Sequence, residues 1–350
     1  MGRFTCILLK RNQGDTLNSS MPLTVGIVVI GRNEGDRLVQ CLKSLLPVGC
    51  PVIYVDSGST DGSAATARAI GADVIELDHA KPFSAARGRN EGFEHLFMQY
   101  PEISFVQFLD ADCTLLPDWI AAAVNALLND PKCSAVVGHL LERNASASVY
   151  NRLCAMEWHS SAGDLQNYGH FGGISMMRAT VFHDLGGFRT DVIAGEDSEL
   201  GVRMGLAGYK IAKLDISMAT HDAGMTSFRQ WWRRAVRAGH AIGQRYDING
   251  RSAARDCERE RRSTIFWGLG LPLMILALVF PTQGLSLLLL VAYPALGIRI
   301  WHYRKGIGDR SNDAATYAIF TVVAKFANAV GLLKFLSNKR ARTYAIIEYK

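Results

Sequence analysis

From Ser263 to Ile298 the chain carries no charged residue. As a single helix this run of 36 residues would extend about 54 Å, well beyond the about 30 Å of a bilayer's hydrocarbon core. Pro281-Thr282-Gln283-Gly284 interrupts it near the middle, so the run predicts a helical hairpin, residues 263–301, with arms Ser263–Phe280 and Leu285–Trp301. Arg259, Arg261 and Arg262 flank one end, and Arg299, Arg304 and Lys305 the other. The positive-inside rule places both ends in the cytoplasm. Each arm is slightly short for a full crossing, which leaves a re-entrant hairpin open. A hairpin buried in a soluble protein is the plain alternative, and Trp267, Trp301 and Tyr303 near the edges favour lipid.

A second apolar stretch, Tyr317–Leu336, is different in kind. Thr321, Lys325, Asn328, Gly331 and Lys334 recur every three or four residues and draw a polar stripe along a helix. A spanning helix would bury Lys325 and carry Lys339, Arg340 and Arg342 to the far side. The pattern predicts an amphipathic helix, 317–336, lying on the cytoplasmic surface of the membrane. The net charge of +6 is concentrated beside these apolar segments, which suits contact with anionic lipids better than evenly solvated charge. No basic run is interleaved with aromatics on a recognisable module, so nucleic acid is excluded as a partner. The seven cysteines are odd in number and contain no Cys-x-x-Cys pair, which argues against a disulfide framework or structural zinc and for a reducing compartment. Residues 1–22 read as a disordered extension or an early start. The apolar run Cys6-Ile7-Leu8-Leu9 is too short for a signal peptide, and Met21 nearly abuts the first strand.

Between 23 and 141, short apolar runs alternate with helical patterns, the signature of an α/β fold with a mostly parallel sheet flanked by helices. Strands are expected at Leu23–Ile30, Val52–Val55, Asp73–Leu77, Ile103–Leu109 and Cys133–Leu140. Beyond 141, helices are expected at Tyr150–Ala162, Glu196–Leu206 and Phe228–Gln244, an extended segment at His170–Met177 and a strand at Tyr209–Ile216. The resulting organisation is a catalytic domain, 23–247, with a nucleotide half 23–141 and an acceptor half 142–247, followed by a membrane-associated region 248–350.

Three strand ends carry polar groups suited to one nucleotide: Asn33-Glu34 after the first strand, Asp56-Ser57 after the second, and Asp110-Ala111-Asp112 after the fourth. Ligands of open α/β sheets bind beyond the carboxyl ends of the strands. Asp56 there can accept hydrogen bonds from a nucleoside, or simply anchor a turn. Two carboxylates one residue apart can hold a hard divalent cation, Mn²⁺ or Mg²⁺, which neutralises phosphate. The sequence has neither Gly-x-Gly-x-x-Gly after the first strand nor a Gly-x-x-x-x-Gly-Lys-Ser/Thr loop, which counts against a dinucleotide dehydrogenase and a P-loop NTPase. Phosphate charge then falls to the metal and to Arg87 or Arg89.

Taken in order, Ile27–Glu34, Asp56–Asp61, Ala86-Arg87-Gly88-Arg89-Asn90-Glu91-Gly92, Asp110-Ala111-Asp112, Phe171-Gly172-Gly173 with Arg178, Gly186-Gly187-Phe188, Gly195–Leu200 and Gln230-Trp231-Trp232-Arg233-Arg234 resemble glycosyltransferase family 2, over most of residues 23–240. The resemblance implies a GT-A fold and an inverting sugar transfer from a UDP-, GDP- or dTDP-linked donor. Asp56 would bind the nucleoside, and Asp110 and Asp112 the metal, with the division of labour between them open. His221 would be a third ligand or a structural histidine. Asp197, in the Glu196-Asp197 pair, would be the general base, although charge at a helix N-terminus is favourable in itself. Asn33, Glu34, Ser57, Arg87, Arg89, Asn90, Gly172, Gly173, Gln230, Trp231, Arg233 and Arg234 complete the expected substrate-binding set. Arg234 stands where processive members carry the final Trp of Gln-x-x-Arg-Trp, which speaks against polymer synthesis. Together with the hairpin, the resemblance implies an enzyme at the cytoplasmic face of the cell membrane, acting on a lipid-linked glycan in exopolysaccharide or cell-surface glycan assembly. A polyprenyl-phosphate sugar synthase and a non-catalytic membrane scaffold of the same fold are the alternatives.

Overall fold

The computed structural model describes residues 24–165 and 171–342; the expectations for 1–22 and for His170 lie outside them. The chain divides into two compact units. The first holds the described residues up to Asn144 together with Trp158–Thr190 and Glu196–Ala223. The second holds Ala145–Glu157, Asp191–Gly195 and the chain from Gly224 onward.

The first unit is built on strands β1 (Thr24–Gly31), β2 (Val52–Asp56), β3 (Asp73–Glu76), β4 (Ile103–Asp110), β5 (Cys113–Leu115), β6 (Cys133–Glu142), β7 (Gly163–Asp164), β8 (Ser175–Arg178) and β9 (Lys210–His221). They form one sheet in the order β3-β2-β1-β4-β8-β6-β9-β5, with β7 paired to β9. β3, β2, β1 and β4 run parallel, whereas β8 is antiparallel to β4 and β6. The sheet is therefore mixed, with its parallel half where the nucleotide pattern was read. The order reverses at β1, which leaves a crevice at the carboxyl ends of β1 and β4.

β1 shows why the sheet is central. Ile27 and Val29 enter one apolar core with Leu38, Leu42 and Trp119, while Val28 and Ile30 enter another with Phe93, Phe108 and Phe182. A strand buried on both faces needs a continuous β-branched run rather than alternation. Helices α1 (Asp36–Leu45), α2 (Ser63–Ile70), α3 (Ala85–Gln99) and α4 (Trp119–Asn129) cover the two faces. α3 starts at Ser84, whose Oγ accepts from Arg87 N at 3.1 Å. It lies so close to β1 that a Cβ at Gly92 would stand 2.5 Å from Val28 Cγ1. Farther along this unit are α6 (Ala179–Asp184) and α7 (Glu196–Leu206), whereas α5 (Val149–Trp158) belongs, but for its last residue, to the second unit. The short strands β5 and β7 leave no apolar signature and were not expected. β6 and β9 also outrun the expected strands, because their pairing continues through Leu141 and through Ser217–Thr220 to Glu142 and His221.

The second unit is helical: α8 (Phe228–Asn249), α9 (Glu258–Ile265), α10 (Leu271–Leu278), α11 (Ala292–Gly306) and α12 (Ser311–Ala341). A π-helical turn, Phe266–Gly270, joins α9 to α10, and a 3₁₀ segment, Leu285–Val291, leads into α11. The uncharged run is thus a hairpin, turning at Thr282 to Gly284 with Gly284 at φ +90°. Hydrogen bonds cross between its arms, from Ser286 Oγ to Ile275 O at 3.0 Å and from Tyr293 OH to Trp267 O at 2.7 Å. Its helices run on into the flanking charged residues, so the arms are longer than the uncharged segments alone suggested.

Among the described residues, two helices, Leu285–Gly306 and Ser311–Ala341, are long and apolar enough to cross a membrane. Leu276, Phe280, Leu285, Leu288 and Val291 are all more than 60% exposed, a contiguous apolar surface of the kind that marks an interaction site. Arg304, read as a flanking charge, is instead buried, donating to Met156 O at 3.1 Å and lying over the Tyr317 ring. α12 packs along α8 through glycines: a Cβ at Gly331 would be 2.0 Å from Val236 O, and one at Gly239 would be 2.1 Å from Asn328 O. Lys325 Nζ donates to Ser263 Oγ at 3.1 Å. Part of the expected polar stripe thus faces protein, and Ile319, Leu333 and Leu336 face outward.

Candidate active site

The loops after β1 and β2 are laced together at the sheet's carboxyl edge. Asn33, at φ +55°, donates its backbone N–H to Ser59 Oγ (2.9 Å) and accepts from Thr60 N on Oδ1 (2.8 Å). Gly35 N donates to Asp61 Oδ2 at 3.1 Å. Glu34 pairs with Arg37 at 2.7 Å, and Ser57 N donates to Gly31 O at 3.0 Å. Asp56 is buried, with Oδ1 accepting from Ser59 N (2.7 Å) and Oδ2 from Tyr54 OH (3.1 Å). Burial, and then the Asp56 charge, push the Tyr54 phenol up, so it stays a donor. The turn therefore uses part of Asp56, and one lone pair on each oxygen remains for a ligand.

Ala111 N donates to Ile30 O at 2.8 Å, which continues the β1–β4 ladder through the Asp-x-Asp turn and separates its carboxylates. Asp110 accepts from Arg89 Nη2 at 2.8 Å and is one-third exposed. Asp112 is buried, and its Oδ2 lies 3.4 Å from His221 Nε2. The unexpected strand β5 makes that pair: Cys113 is the register partner of His221 on β9. Asp112, Cys113 and His221 place ligand atoms within 4.8 Å of one another. Burial, then the Asp112 and Asp110 charges, push the Cys113 thiol well above its ordinary value. It stays protonated and donates to Asp112 Oδ1 at 3.5 Å. One carboxylate oxygen and one imidazole nitrogen, converging at 3.4 Å, fit a divalent cation. Asp110 lies outside this group, its carboxylate engaged by Arg89 rather than by the cluster.

Arg89 is the hub of an ion network. Its guanidinium, 4% exposed, bonds Asp110 and, through Nη1, Glu196 Oε1 at 2.7 Å. Burial alone would lower its pKa; Asp110, Glu196 and then Asp197 outweigh that and raise it above the ordinary arginine value. Two neighbouring glycines serve it for different reasons. Gly172 adopts φ +79°, whereas Gly173 is small because a Cβ there would lie 2.2 Å from Arg89 Nη2. Glu196, expected beside the base, is thus tied to Arg89 at the first turn of α7. Asp197 follows it, half-buried, accepting from Ser198 N at 2.7 Å.

Several other expected substrate contacts are turned to internal work. Arg87 donates to Glu91 (2.6 Å), Asp78 O (3.0 Å) and Lys81 O (2.9 Å), fixing the loop before α3. Asn90 exchanges two hydrogen bonds with the backbone of Phe188, at 2.7 and 2.9 Å, which use half of its carboxamide's bonding capacity. In the second unit, Gln230 forms a capping box with Ser227. There Trp231 packs edge-on against Phe320, Arg234 pairs with Glu157 at 2.6 Å, and Arg233 is exposed.

Glu142 escaped the sequence reading. Its carboxylate, fully buried at the end of β6, lies 3.6 Å from His221 Nδ1. The strand was expected to stop two residues earlier, where the apolar run ends; a charged residue prolonging a buried strand was the available signal.

The chain matches the family model described as glycosyl transferase family 2 over residues 26–186. A second model, described as N-terminal domain of galactosyltransferase, matches residues 155–226. Among curated proteins, it is 24% identical to the succinoglycan biosynthesis protein ExoA of Rhizobium meliloti (strain 1021), over 94% of this chain and 98% of that one. It is also 24% identical to the poly-beta-1,6-N-acetyl-D-glucosamine synthase of Staphylococcus aureus (strain MSSA476), over 60% of this chain and 53% of that protein, so it spans about half of that relative's length. Among solved structures, the mannosyltransferase PcManGT from Pyrobaculum calidifontis, in complex with GDP-Man and Mn²⁺, superposes with a TM-score of 0.56 at 19% identity, covering 90% of this chain and 87% of that one. That likeness is one of fold.

Proposed function

We propose, for a chain that belongs to glycosyltransferase family 2 and has the GT-A fold, that it transfers a sugar from a nucleotide-sugar to a lipid-linked glycan at the cytoplasmic face of a membrane, in exopolysaccharide or cell-surface glycan assembly. The observation that carries the reading is the Asp112–His221 pair, 3.4 Å apart, at the carboxyl edge of the sheet. A divalent cation held by these two side chains would neutralise the diphosphate of the donor and its leaving group. The imidazole favours Mn²⁺ over Mg²⁺, which prefers an all-oxygen shell.

The chain's own groups do the remaining work. Asp56 accepts from the nucleoside through its remaining lone pairs. Asp110, held by Arg89, takes a ribose hydroxyl or a water. Asp197 removes the proton of the acceptor hydroxyl as its oxygen attacks the anomeric carbon, and the bond to the diphosphate breaks on the opposite face, with inversion. Glu196, bonded to Arg89, fixes the turn that carries Asp197. The likeness to the R. meliloti succinoglycan biosynthesis protein, along nearly the whole of both chains, supports the exopolysaccharide setting.

The exposed leucines of the hairpin support insertion into lipid, with Arg259, Arg261, Arg262, Arg299 and Lys305 at its cytoplasmic ends. α12 lies along α8, which carries Arg229, Arg233, Arg234, Arg237 and Arg245. A helix packed over such a charged neighbour belongs at the interface rather than in the bilayer core.

Thermal unfolding of the purified protein with Mn²⁺ and a panel of UDP-, GDP- and dTDP-sugars tests the donor. One nucleotide-sugar should stabilise the wild type by about 3 kcal/mol at 100 times its Kd and leave Asp112→Ala unchanged. Equal stabilisation of Asp112→Ala, or none by any donor, contradicts the reading. A product consisting of one sugar on a polyprenyl phosphate would replace the glycan acceptor with the lipid phosphate itself.

A further inference from the structure

The geometry points to Glu142 as the positioning residue of the metal site. It holds the His221 imidazole in its Nδ1–H form, so that Nε2 presents a lone pair beside Asp112. The inference rests on the metal reading of Asp112 and His221, and it concerns a residue that contacts neither donor nor acceptor.

His221 sits between two carboxylates. Asp112 Oδ2 is 3.4 Å from Nε2, and Glu142 Oε2 is 3.6 Å from Nδ1. Neighbouring strands create this placement, since Glu142 and His221 are register partners in β6 and β9 and Arg143 N donates to His221 O at 2.8 Å. Glu142 cannot swing away. Its side chain is 0% exposed, Oε1 accepts from Asn144 N and Oε2 from Ala223 N, both at 3.1 Å. The Trp158 ring packs edge-on against the imidazole, with centroids 4.6 Å apart, and hinders its rotation.

A neutral imidazole has one N–H to give. Nδ1 is enclosed, with no hydrogen-bond partner at ordinary distance, and the anion nearest to it is the immobile Glu142. With a cation between Nε2 and Asp112, the ring's one proton is on Nδ1, where the Glu142 charge stabilises it. Nε2 then turns a lone pair toward an Asp112 oxygen, and two electron-rich atoms at this separation are complementary to a cation between them. The order carboxylate, histidine, metal fixes both tautomer and ring orientation, and loss of the outer carboxylate typically weakens metal binding about 10–100-fold.

Two measurements test this without turnover. In protein labelled with ¹⁵N-histidine and saturated with diamagnetic Zn²⁺, with His221 assigned by the His221→Gln variant, long-range ¹H–¹⁵N correlation should show a protonated Nδ1 and an unprotonated Nε2. An Nε2–H tautomer or a doubly protonated ring there overturns the inference. In Mn²⁺ titrations followed by electron paramagnetic resonance, without nucleotide, Glu142→Gln should bind about 10–100-fold more weakly than wild type, and Glu142→Asp should recover part of the loss. Unchanged affinity in Glu142→Gln overturns the inference. Should Glu142→Gln fail to fold, the wild-type tautomer decides alone. If wild type and Asp112→Ala bind Mn²⁺ equally poorly, the metal reading itself has failed, and the inference falls with it.

Discussion

Alanine in place of Gly173 should cripple the protein through Arg89, although Gly173 bears no reacting group. The added methyl would stand 2.2 Å from Arg89 Nη2 and 2.5 Å from Cζ. To restore ordinary contact, the guanidinium must retreat by about 1 Å. It has little freedom to do so, because Asp110 at 2.8 Å and Glu196 at 2.7 Å hold it on two sides in a buried setting. Overpacking costs about 1–3 kcal/mol, and breaking a buried ion pair costs about 3–5 kcal/mol. Partial relaxation of the backbone leaves an expected loss of about 3 kcal/mol, read by denaturant unfolding of the solubilised protein. Displacing Glu196 also moves the turn carrying Asp197, so the transfer rate should fall about 100-fold. A double-mutant cycle isolates the cause. In an Arg89→Met background the obstacle is a flexible, uncharged side chain, and Gly173→Ala should cost about 2 kcal/mol less than in the wild type. Additive effects, or a Gly173→Ala variant of wild-type stability, would refute the hub role of Arg89.

Other expectations follow from the same geometry. Asp197→Asn should retain donor binding, measured by calorimetry, yet lose transfer by about 100-fold or more; loss of binding would make its role structural. His221→Ala should lose the Mn²⁺-dependent part of donor binding, while Cys113→Ser should keep it, since Mn²⁺ takes oxygen and imidazole donors in preference to sulfur. Gly331→Val should destabilise the second unit by about 3 kcal/mol, because the new side chain meets the Val236 carbonyl, which cannot rotate away. His240 gives a pH test. Burial, and then Lys334, lower its pKa to about 4 from 6.5. The folded state therefore binds it as the neutral ring, and its contribution is complete above about pH 6.5. It is lost progressively as pH falls toward 4, by up to about 3 kcal/mol. A His240→Gln variant should show a flatter stability profile over that interval.

The nucleotide half was legible because β1, β2 and β4 announce themselves as buried β-branched runs that deliver Asn33, Asp56 and Asp110 to one edge. The hairpin was equally legible, since an uncharged run broken by Pro281 and Gly284 admits few folds. Other features depend on pairing between distant segments. The three residues Cys113–Leu115 carry no pattern of their own, yet their pairing with β9 brings His221 to Asp112. Glu142 reaches His221 only because β6 continues past its apolar stretch. The surroundings of the arginines were hidden for a related reason. Arg87 and Arg89 have the charge a phosphate site needs, and several of their N–H groups meet carbonyls and carboxylates that only the fold brings near. The stripe on α12 was correctly seen as polar; sequence periodicity could not tell whether headgroups or α8 would face it.

The central claim is tested most directly by following labelled sugar from the stabilising nucleotide-sugar into the organic-extractable fraction of membranes containing the protein, with Mn²⁺. The account predicts transfer by the wild type, abolished by excess chelator and by Asp112→Ala. Undiminished transfer in Asp112→Ala, or label that never enters the lipid fraction while wild-type protein binds the donor, would contradict it.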